Sequence, residues 1–311
     1  MKEQYEEINR TIKEEIRKKG FLIAAHRGTH MGTFPENTIN AYKASFAFHA
    51  DMVEMDVIRN ANGEYYCIHD GTERQNLDVK LNSRTMTTAQ IQSLETRNYY
   101  GKKTGRCLDR FEDFLKAFKD TDALFNLDRC WDKGFEDFSY TGGALELIEK
   151  YGMLNRFLFK TSFNEKFMSD LEKSRIPVPY LAIVNSSEQI RAAEKYDINL
   201  AGFELLFYSE DDEIISEKNI RYLREKDYIM LTGSEMIGPD WNVSARHNDD
   251  RAVLEGPHAA WDFLSSDWAK AARAKSLGGG YTWPITNPSL YESGWSRSVA
   301  DNCAGIDGEF Y

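Results

Sequence analysis

The sequence has few cysteines and no long apolar run, and each absence excludes a class of protein. Its 311 residues include four cysteines without CxxC spacing, which argues against a disulfide framework and against a zinc site. No stretch approaches the roughly 18 consecutive apolar residues of a membrane helix. The first 20 residues, dense in Lys and Glu, lack the apolar core of a signal peptide. We therefore expect a cytoplasmic protein without a transmembrane segment.

Positive charge is also in deficit. Thirty-nine Lys and Arg residues stand against fifty Asp and Glu residues, which makes the formal net charge −11. Because such a surface repels a phosphate backbone, nucleic acid is not expected as a partner. With 41% hydrophobic and 29% charged residues, the composition is that of a globular protein with a sizeable core. The composition leaves the oligomeric state open.

Short β-branched or aromatic runs alternate with helical patterns along most of the chain. This alternation predicts βα units around a parallel sheet, and one (β/α)8 barrel needs about 250 residues. We predict an α/β fold with one TIM-type barrel over residues 21–311. The predicted strands are 21–26, 52–58, 65–69, 123–128, 157–162, 180–184, 202–207, 228–233 and 281–286.

Residues 1–20 are expected to form a surface helix docked on the barrel. A thin apolar stripe at helical spacing, consisting of Tyr5, Ile8, Ile12 and Ile16, would supply the docking face. Gly20 is expected to end this helix.

One junction breaks the alternation of strands and helices. Only the six residues RNANGE separate the second strand from the third, whereas a parallel crossover needs about a dozen. The third strand must therefore turn back as a hairpin, with Asn62-Gly63 as the turn. It forms an excursion that carries His69, so the eighth barrel strand is expected at 281–286.

Acidic residues lie at the strand ends that would form the active-site face of a barrel. Glu54 and Asp56 are two apart on one strand and so point to the same side, and Asp128 ends another strand. Carboxylates on apolar strands are costly unless a cation or hydrogen-bond donors neutralise them. An all-oxygen set suits Mg²⁺ or Ca²⁺ better than zinc. The alternative is that Glu54 and Asp56 face outward, toward helix dipoles or arginines.

Two of the six histidines directly follow apolar strands. His26 and His69 stand where a general acid or base with a pKa near neutrality would be placed. Either one alone is equally compatible with a structural role, but both beside an acidic set favour catalysis. His30 lies in a polar, loop-like sequence and is expected to be solvated.

Four ordered motifs resemble a known family. The residues His26-Arg27-Gly28, Pro35-Glu36-Asn37-Thr38, Glu54-Met55-Asp56 and His69-Asp70 resemble the HRG, PENT, ExD and HD series of the glycerophosphodiester phosphodiesterases, within the PI-PLC-like phosphodiesterase superfamily. Phe125-Asn126-Leu127-Asp128 resembles the next metal strand of that family, and residues 285–288 resemble a degraded TDRP-like segment. The likeness is strong to about residue 163 and thin beyond it.

The resemblance implies a TIM barrel that is a phosphoric diester hydrolase acting on small glycerophosphodiesters or related lipid-derived diesters. Glu54, Asp56 and Asp128 would hold one divalent cation, Mg²⁺ or Ca²⁺. His26 and His69 would exchange protons while a hydroxyl of the substrate attacks its own phosphorus, giving a cyclic phosphate that water opens. The resemblance does not assign the acid and base roles between the two histidines.

Two cations are candidates for contacting the phosphate. Arg27 offers a planar fork for phosphate oxygens; an ion pair with Glu36 is an alternative role compatible with the first. Lys160 is the second candidate. The sequence departs from the family at Cys130, where relatives commonly carry Lys, and Arg129 or Lys160 would have to supply that charge.

Two other functions remain open. The same site could stop at the cyclic phosphate, as the related phospholipase D toxins do. A barrel of a different class would bind a phosphorylated ligand without turning it over, which Cys130 and the altered C-terminal third make plausible.

Overall fold

The computed structural model describes residues 2–19, 24–30, 33–98, 100–128, 138–207, 212–234 and 280–283. No helix within these ranges is long and apolar enough to cross a membrane. The strands are β1 Ala24–His26, β2 Met52–Arg59, β3 Tyr65–Cys67, β4 Leu124–Asp128, β5 Phe157–Ser162, β6 Tyr180–Val184, β7 Leu200–Phe207, β8 Ile229–Ser234 and β9 Gly280–Trp283. The helices are α1 Lys2–Lys19, α2 Ile39–Ala47, α3 Glu73–Leu77, α4 Thr88–Gln92, α5 Phe111–Phe118, α6 Phe138–Lys150, α7 Glu165–Ser174, α8 Ser187–Ala193 and α9 Glu217–Glu225.

All the described strands except β3 run parallel in one sheet. Their order is β1-β2-β4-β5-β6-β7-β8-β9, and β1 contacts β9 where the sheet curls round. The predicted TIM-type barrel is therefore confirmed, including its eighth strand, which was expected at 281–286 and is β9. Residues 21–23 and 284–286 of the predicted strands lie outside the described residues.

The hairpin at the second strand is also confirmed. β3 pairs antiparallel with β2, and the connecting turn closes through a 3.0 Å hydrogen bond from the Gly63 amide to the Asn60 carbonyl. Gly63 has a φ of +84°, which glycine adopts at little cost. Because the turn reverses the chain, the end of β3 returns alongside the carboxyl end of β2.

Side chains that point into the barrel stack in layers. The layer at the amino ends of the strands is apolar. Its members are Ala24, Met52, Leu124, Leu158, Leu181, Ala201, Ile229 and Leu231. Two residues further along four of these strands, alternation brings His26, Glu54, Asn126 and Lys160 to the same interior. The polar layer therefore rests on an apolar floor.

Helix α1 packs against this floor, as the amphipathic stripe predicts. Ile12 is fully buried in the apolar layer. Asn9 Nδ2 donates a 2.9 Å hydrogen bond to Asn199 Oδ1, and Arg17 pairs with Asp227 at 2.7 Å. Gly20, expected to end the helix, lies outside the described residues.

Truncating the residue that anchors α1 should destabilise the barrel. We expect Ile12→Ala to lower the free energy of unfolding by about 2–4 kcal/mol, because it leaves a cavity beneath the strands. Urea denaturation of the full chain measures the loss, with Glu7→Ala as an exposed control on the same helix. A loss of less than about 1 kcal/mol would mean that α1 does not contribute to the core.

Candidate active site

A tight turn after β1 brings the first motif to the mouth of the barrel. Arg27 and Gly28 both have left-handed backbones, with φ of +54° and +75°. A Cβ on Gly28 would lie 2.9 Å from the backbone carbon of Ala41, so only glycine allows α2 to pack this closely. In this turn the Arg27 amide donates a 3.1 Å hydrogen bond to Glu54 Oε2.

The three predicted acidic ligands meet inside the barrel. Glu54, Asp56 and Asp128 each offer one oxygen, and these atoms lie within 4.8 Å of one another. Asp56 and Asp128 are register partners on the neighbouring strands β2 and β4. Glu54 and Asp56 are buried and Asp128 is half-buried. The alternative in which Glu54 and Asp56 face outward is therefore wrong.

This cluster has the chemistry of a site for a hard divalent cation. Burial, followed by the Asp56 carboxylate, raises the pKa of Glu54 to about 8. A divalent cation would offset the repulsion between the Glu54 and Asp56 carboxylates. The separation of the three oxygens, within 4.8 Å of one another, suits ion–oxygen distances of about 2.0–2.6 Å. Asn126 Oδ1 is also buried, and no donor lies within hydrogen-bond distance of it among the described residues. The residues present fit a bound ion.

Arg27 makes the predicted ion pair with Glu36. Its Nη1 lies 3.0 Å from Glu36 Oε1, and its Nε lies 3.4 Å from Asp56 Oδ2. Asn76 Nδ2 donates a 2.8 Å hydrogen bond to Glu36 Oε1. The guanidinium is thus held in one orientation beside the acidic cluster.

Asn37 has a structural role at the site that sequence reasoning did not assign. Its Nδ2 donates to Asp56 Oδ2 at 2.8 Å, and its Oδ1 accepts from the Asp56 amide at 2.9 Å. Tyr42 donates its hydroxyl to the same Oδ1 at 2.8 Å. The asparagine clamps Asp56, which leaves that carboxylate one orientation toward the barrel axis.

Lys160 points into the barrel and is only 1% exposed. Its Nζ lies 3.5 Å from Glu54 Oε1 and 3.3 Å from Glu204 Oε2. Burial alone would lower the pKa of Lys160, but the carboxylates of Glu204 and Glu54 outweigh burial and raise it. The ammonium therefore stays charged and ties two carboxylates together.

Glu204 is the residue that sequence reasoning missed. It is 2% exposed on β7, and its Oε2 also lies within 3.4 Å of Asn126 Nδ2. The available signal was a single acid within the apolar strand LAGFELLF. Glu54 and Asp56 lie in a comparably apolar strand. Burying the Glu204 carboxylate carries the same free-energy cost as burying theirs.

His26 lies against the same carboxylates. Its Nε2 is 3.9 Å from Glu54 Oε2, and the ring is 3% exposed. Burial, with added positive charge from Arg27 and Lys160, holds the pKa of His26 well below 6.5. The imidazole is therefore neutral at pH 7, which is the form that can accept a proton.

The hairpin places His69 next to the strand that carries Glu54 and Asp56. The amide of Ile68 donates a 3.1 Å hydrogen bond to the Asp56 carbonyl, so His69 stands beside the carboxyl end of β2. His69 Nδ1 lies 2.7 Å from the Asp70 carbonyl, which can only accept, so Nδ1 carries the proton. Arg84 holds the Asp70 carboxylate at 3.1 Å.

The expectation of a solvated His30 is wrong. The turn at Arg27 and Gly28 folds the chain back, so His30 Nδ1 lies 2.9 Å from the Gly28 carbonyl and the ring is 4% exposed. Arg129, Cys130 and the TDRP-like segment 285–288 lie outside the described residues.

Comparison with known proteins agrees with the motifs. Residues 26–225 match the Glycerophosphoryl diester phosphodiesterase family. A glycerophosphodiester phosphodiesterase of Caldanaerobacter subterraneus subsp. tengcongensis is 27% identical over 167 residues, which cover 52% of this chain and 65% of the relative. The chain thus spans about two thirds of the length of that curated relative.

Solved structures show the same fold at low sequence identity. A glycerophosphoryl diester phosphodiesterase from Parabacteroides distasonis superposes with a TM-score of 0.63 at 14% identity, covering 87% of this chain and 85% of that chain. An Oleispira antarctica phosphodiesterase, solved in complex with the product sn-glycerol-3-phosphate, has a TM-score of 0.62 at 14% identity, covering 92% of this chain and 99% of that chain.

Replacing the Glu204 carboxylate by an amide should show how much this residue contributes to the stability of the fold. We expect Glu204→Gln to lower the free energy of unfolding by about 3 kcal/mol, because the buried Lys160 ammonium loses one of its carboxylate partners. Chemical denaturation at pH 7 measures the loss. Glu217→Gln, at a position where the side chain is 85% exposed, is the matched control. Equal stability of the two variants would contradict the ion pair.

Proposed function

Because the chain belongs to the glycerophosphoryl diester phosphodiesterase family, a family of phosphoric diester hydrolases, we propose that it hydrolyses glycerophosphodiesters to an alcohol and glycerol phosphate. The observation that carries this proposal is the convergence of Glu54, Asp56 and Asp128, with oxygens within 4.8 Å, beside the buried His26. The product named in the Oleispira antarctica complex, sn-glycerol-3-phosphate, is the product proposed here.

A phosphodiester resists hydrolysis for two reasons. Its anionic oxygens repel a nucleophile, and its leaving alkoxide needs a proton. A divalent cation held by Glu54, Asp56 and Asp128 would offset the phosphate charge and polarise the phosphorus centre. Arg27 and Lys160 add positive charge on the same side of the barrel, at 3.4 Å from Asp56 and 3.5 Å from Glu54 respectively. We propose both as contacts for the phosphate.

Two histidines supply the proton transfers. One takes the proton from a glycerol hydroxyl as its oxygen attacks phosphorus, and the other protonates the departing alcohol, which leaves a cyclic phosphate. In the second step the histidines exchange roles: water loses a proton to one, attacks phosphorus, and the ring oxygen receives a proton from the other. The sum is one diester and one water converted to an alcohol and glycerol phosphate.

Removing either histidine should abolish turnover without unfolding the chain. We expect His26→Ala and His69→Ala to lower kcat on a glycerophosphodiester by about 100- to 10,000-fold, the usual contribution of a general acid or base. The matched control is His49→Asn, because His49 is exposed and its φ of +67° suits asparagine. Full activity in either alanine variant would reject the assignment.

Chelation should separate a metal role from a structural role of the acids. Protein treated with EDTA is expected to lose activity and to regain it with Mg²⁺ or Ca²⁺, and the restoring ion should raise the Tm of the wild type. Asp128→Asn should weaken both effects, whereas Asp113→Asn, at an exposed position, should change neither. Undiminished activity after exhaustive chelation would refute the metal proposal.

The product distinguishes hydrolysis from its two alternatives. Phosphorus NMR of the reaction is expected to show glycerol phosphate. Accumulation of a cyclic phosphate would instead identify a lyase. Recovery of intact diester, together with a metal-dependent thermal shift, would identify a barrel that binds without turnover.

A further inference from the structure

One part of the excursion between β2 and α5, residues 79–106, has a charge opposite to that of the whole chain. Residues 79–106 contain six Lys or Arg and one Glu, whereas the whole chain has a net charge of −11. Within this segment, residues 96–106 contain four basic residues and no acid. Such an asymmetry indicates a local surface for an anionic partner.

We name residues 96–106 the basic hairpin, and its described residues, 96–98 and 100–106, are joined by backbone hydrogen bonds. The Thr96 amide donates to the Arg106 carbonyl at 2.7 Å, and the Asn98 amide donates to the Lys102 carbonyl at 2.9 Å. At the tip, Asn98 Oδ1 accepts from the amides of Tyr100 and Lys102 at 3.1 and 3.0 Å. Asn98 therefore ties the described residues of the tip, Tyr100 and Lys102, to the first strand of the basic hairpin.

The basic hairpin presents exposed charge and an exposed aromatic ring. Lys102, Lys103 and Arg106 are exposed, and Arg106 is near enough to Asp109 for its charge to act on the pKa of that carboxyl. Tyr100 is 67% exposed and Leu81, also in the excursion, is 54% exposed; they are the two most exposed large hydrophobic residues of the described chain. An aromatic ring with a polar end suits the interface between lipid headgroups and acyl chains.

The stem of the basic hairpin is joined to the candidate active site. The Arg97 amide donates a 2.7 Å hydrogen bond to the Asn76 carbonyl, and Asn76 in turn donates to Glu36, the partner of Arg27. Arg97 Nη2 also pairs with Asp78 at 2.6 Å. The stem is therefore connected through Asn76 to the Glu36–Arg27 pair of the candidate active site.

We propose that the basic hairpin docks the protein on an anionic lipid bilayer, with Tyr100 at headgroup depth and Lys102, Lys103 and Arg106 against the lipid phosphates. Charge complementarity favours this occupant, because three exposed basic side chains and an exposed aromatic ring lie on one short segment of an otherwise acidic chain. A small anion would need a concave pocket, and a wrapping nucleic acid would meet the acidic surface. If the proposed function holds, docking turns the site toward diesters derived from membrane lipid.

Vesicle binding by the full chain tests this proposal without depending on catalysis. Phosphatidylcholine vesicles with about one third phosphatidylglycerol should co-sediment the wild type at about 0.05 M NaCl, and about 0.5 M NaCl should release it. Pure phosphatidylcholine vesicles should not bind it. Absence of binding to the anionic vesicles at low salt would overturn the proposal.

Charge reversal locates the contact. Because each basic residue contributes about fivefold at a membrane surface, Lys102→Glu, Lys103→Glu and Arg106→Glu combined should lower vesicle partitioning by about 100-fold. The matched control makes the same charge change at Lys43, Lys195 and Lys218, which are exposed elsewhere. An equal loss in the control would mean that net charge, not the basic hairpin, drives binding.

Two further measurements complete the test. Tyr100→Ala should weaken partitioning several-fold, and Tyr100→Trp should retain it. Turnover of a water-soluble glycerophosphodiester should be unchanged in the charge-reversal variant, and a wild type without turnover would contradict the proposed function while the vesicle result stands. Binding of RNA that depends on the basic hairpin, without vesicle binding, would replace the lipid assignment.

Discussion

Repulsion among buried carboxylates is the constraint on which this site depends. Glu54 and Asp56 occupy an interior where an isolated charge is strongly disfavoured, and burial raises the pKa of Glu54 to about 8. Lys160 relieves part of this repulsion, and the remainder is what a divalent cation would neutralise. The apolar floor beneath the acids keeps water away and strengthens each of these interactions.

The residues around the acidic cluster mainly limit the orientations that its charged side chains can adopt. Asn37 clamps Asp56 through two hydrogen bonds, and Glu36 fixes Arg27. Glu204 on β7 holds Lys160 on β5, and these two strands flank β6 in the sheet. Each contact costs little once the chain has folded, because the backbone already places the groups within reach. A site arranged in advance needs less reorganisation when a charged ligand arrives.

The hairpin at β3 links the candidate active site to the surface of the protein. By turning back, β3 brings the Ile68 amide to the Asp56 carbonyl, with His69 as the next residue, and the chain then continues into an excursion with excess positive charge. An interruption of the βα alternation therefore supplies both the second candidate histidine, His69, and a segment whose positive charge contrasts with the net negative charge of the whole chain. Barrels commonly add function in this way, through the segments that follow strands while the strands themselves remain constant.

Much of this arrangement could be predicted from the sequence, because the period of apolar residues and the spacing of the motifs are local properties. They determined the nine strands, the hairpin turn at Gly63 and the acids at 54, 56 and 128. The burial of His30 depended on a left-handed turn that places its ring against Gly28, and polar neighbours gave no sign of it. The pairing of Lys160 with Glu204 joins residues 44 positions apart. Their strands, β5 and β7, both pair with β6. Because strand pairing of this kind leaves no local mark in the sequence, only the tertiary structure decided which charges neutralise one another.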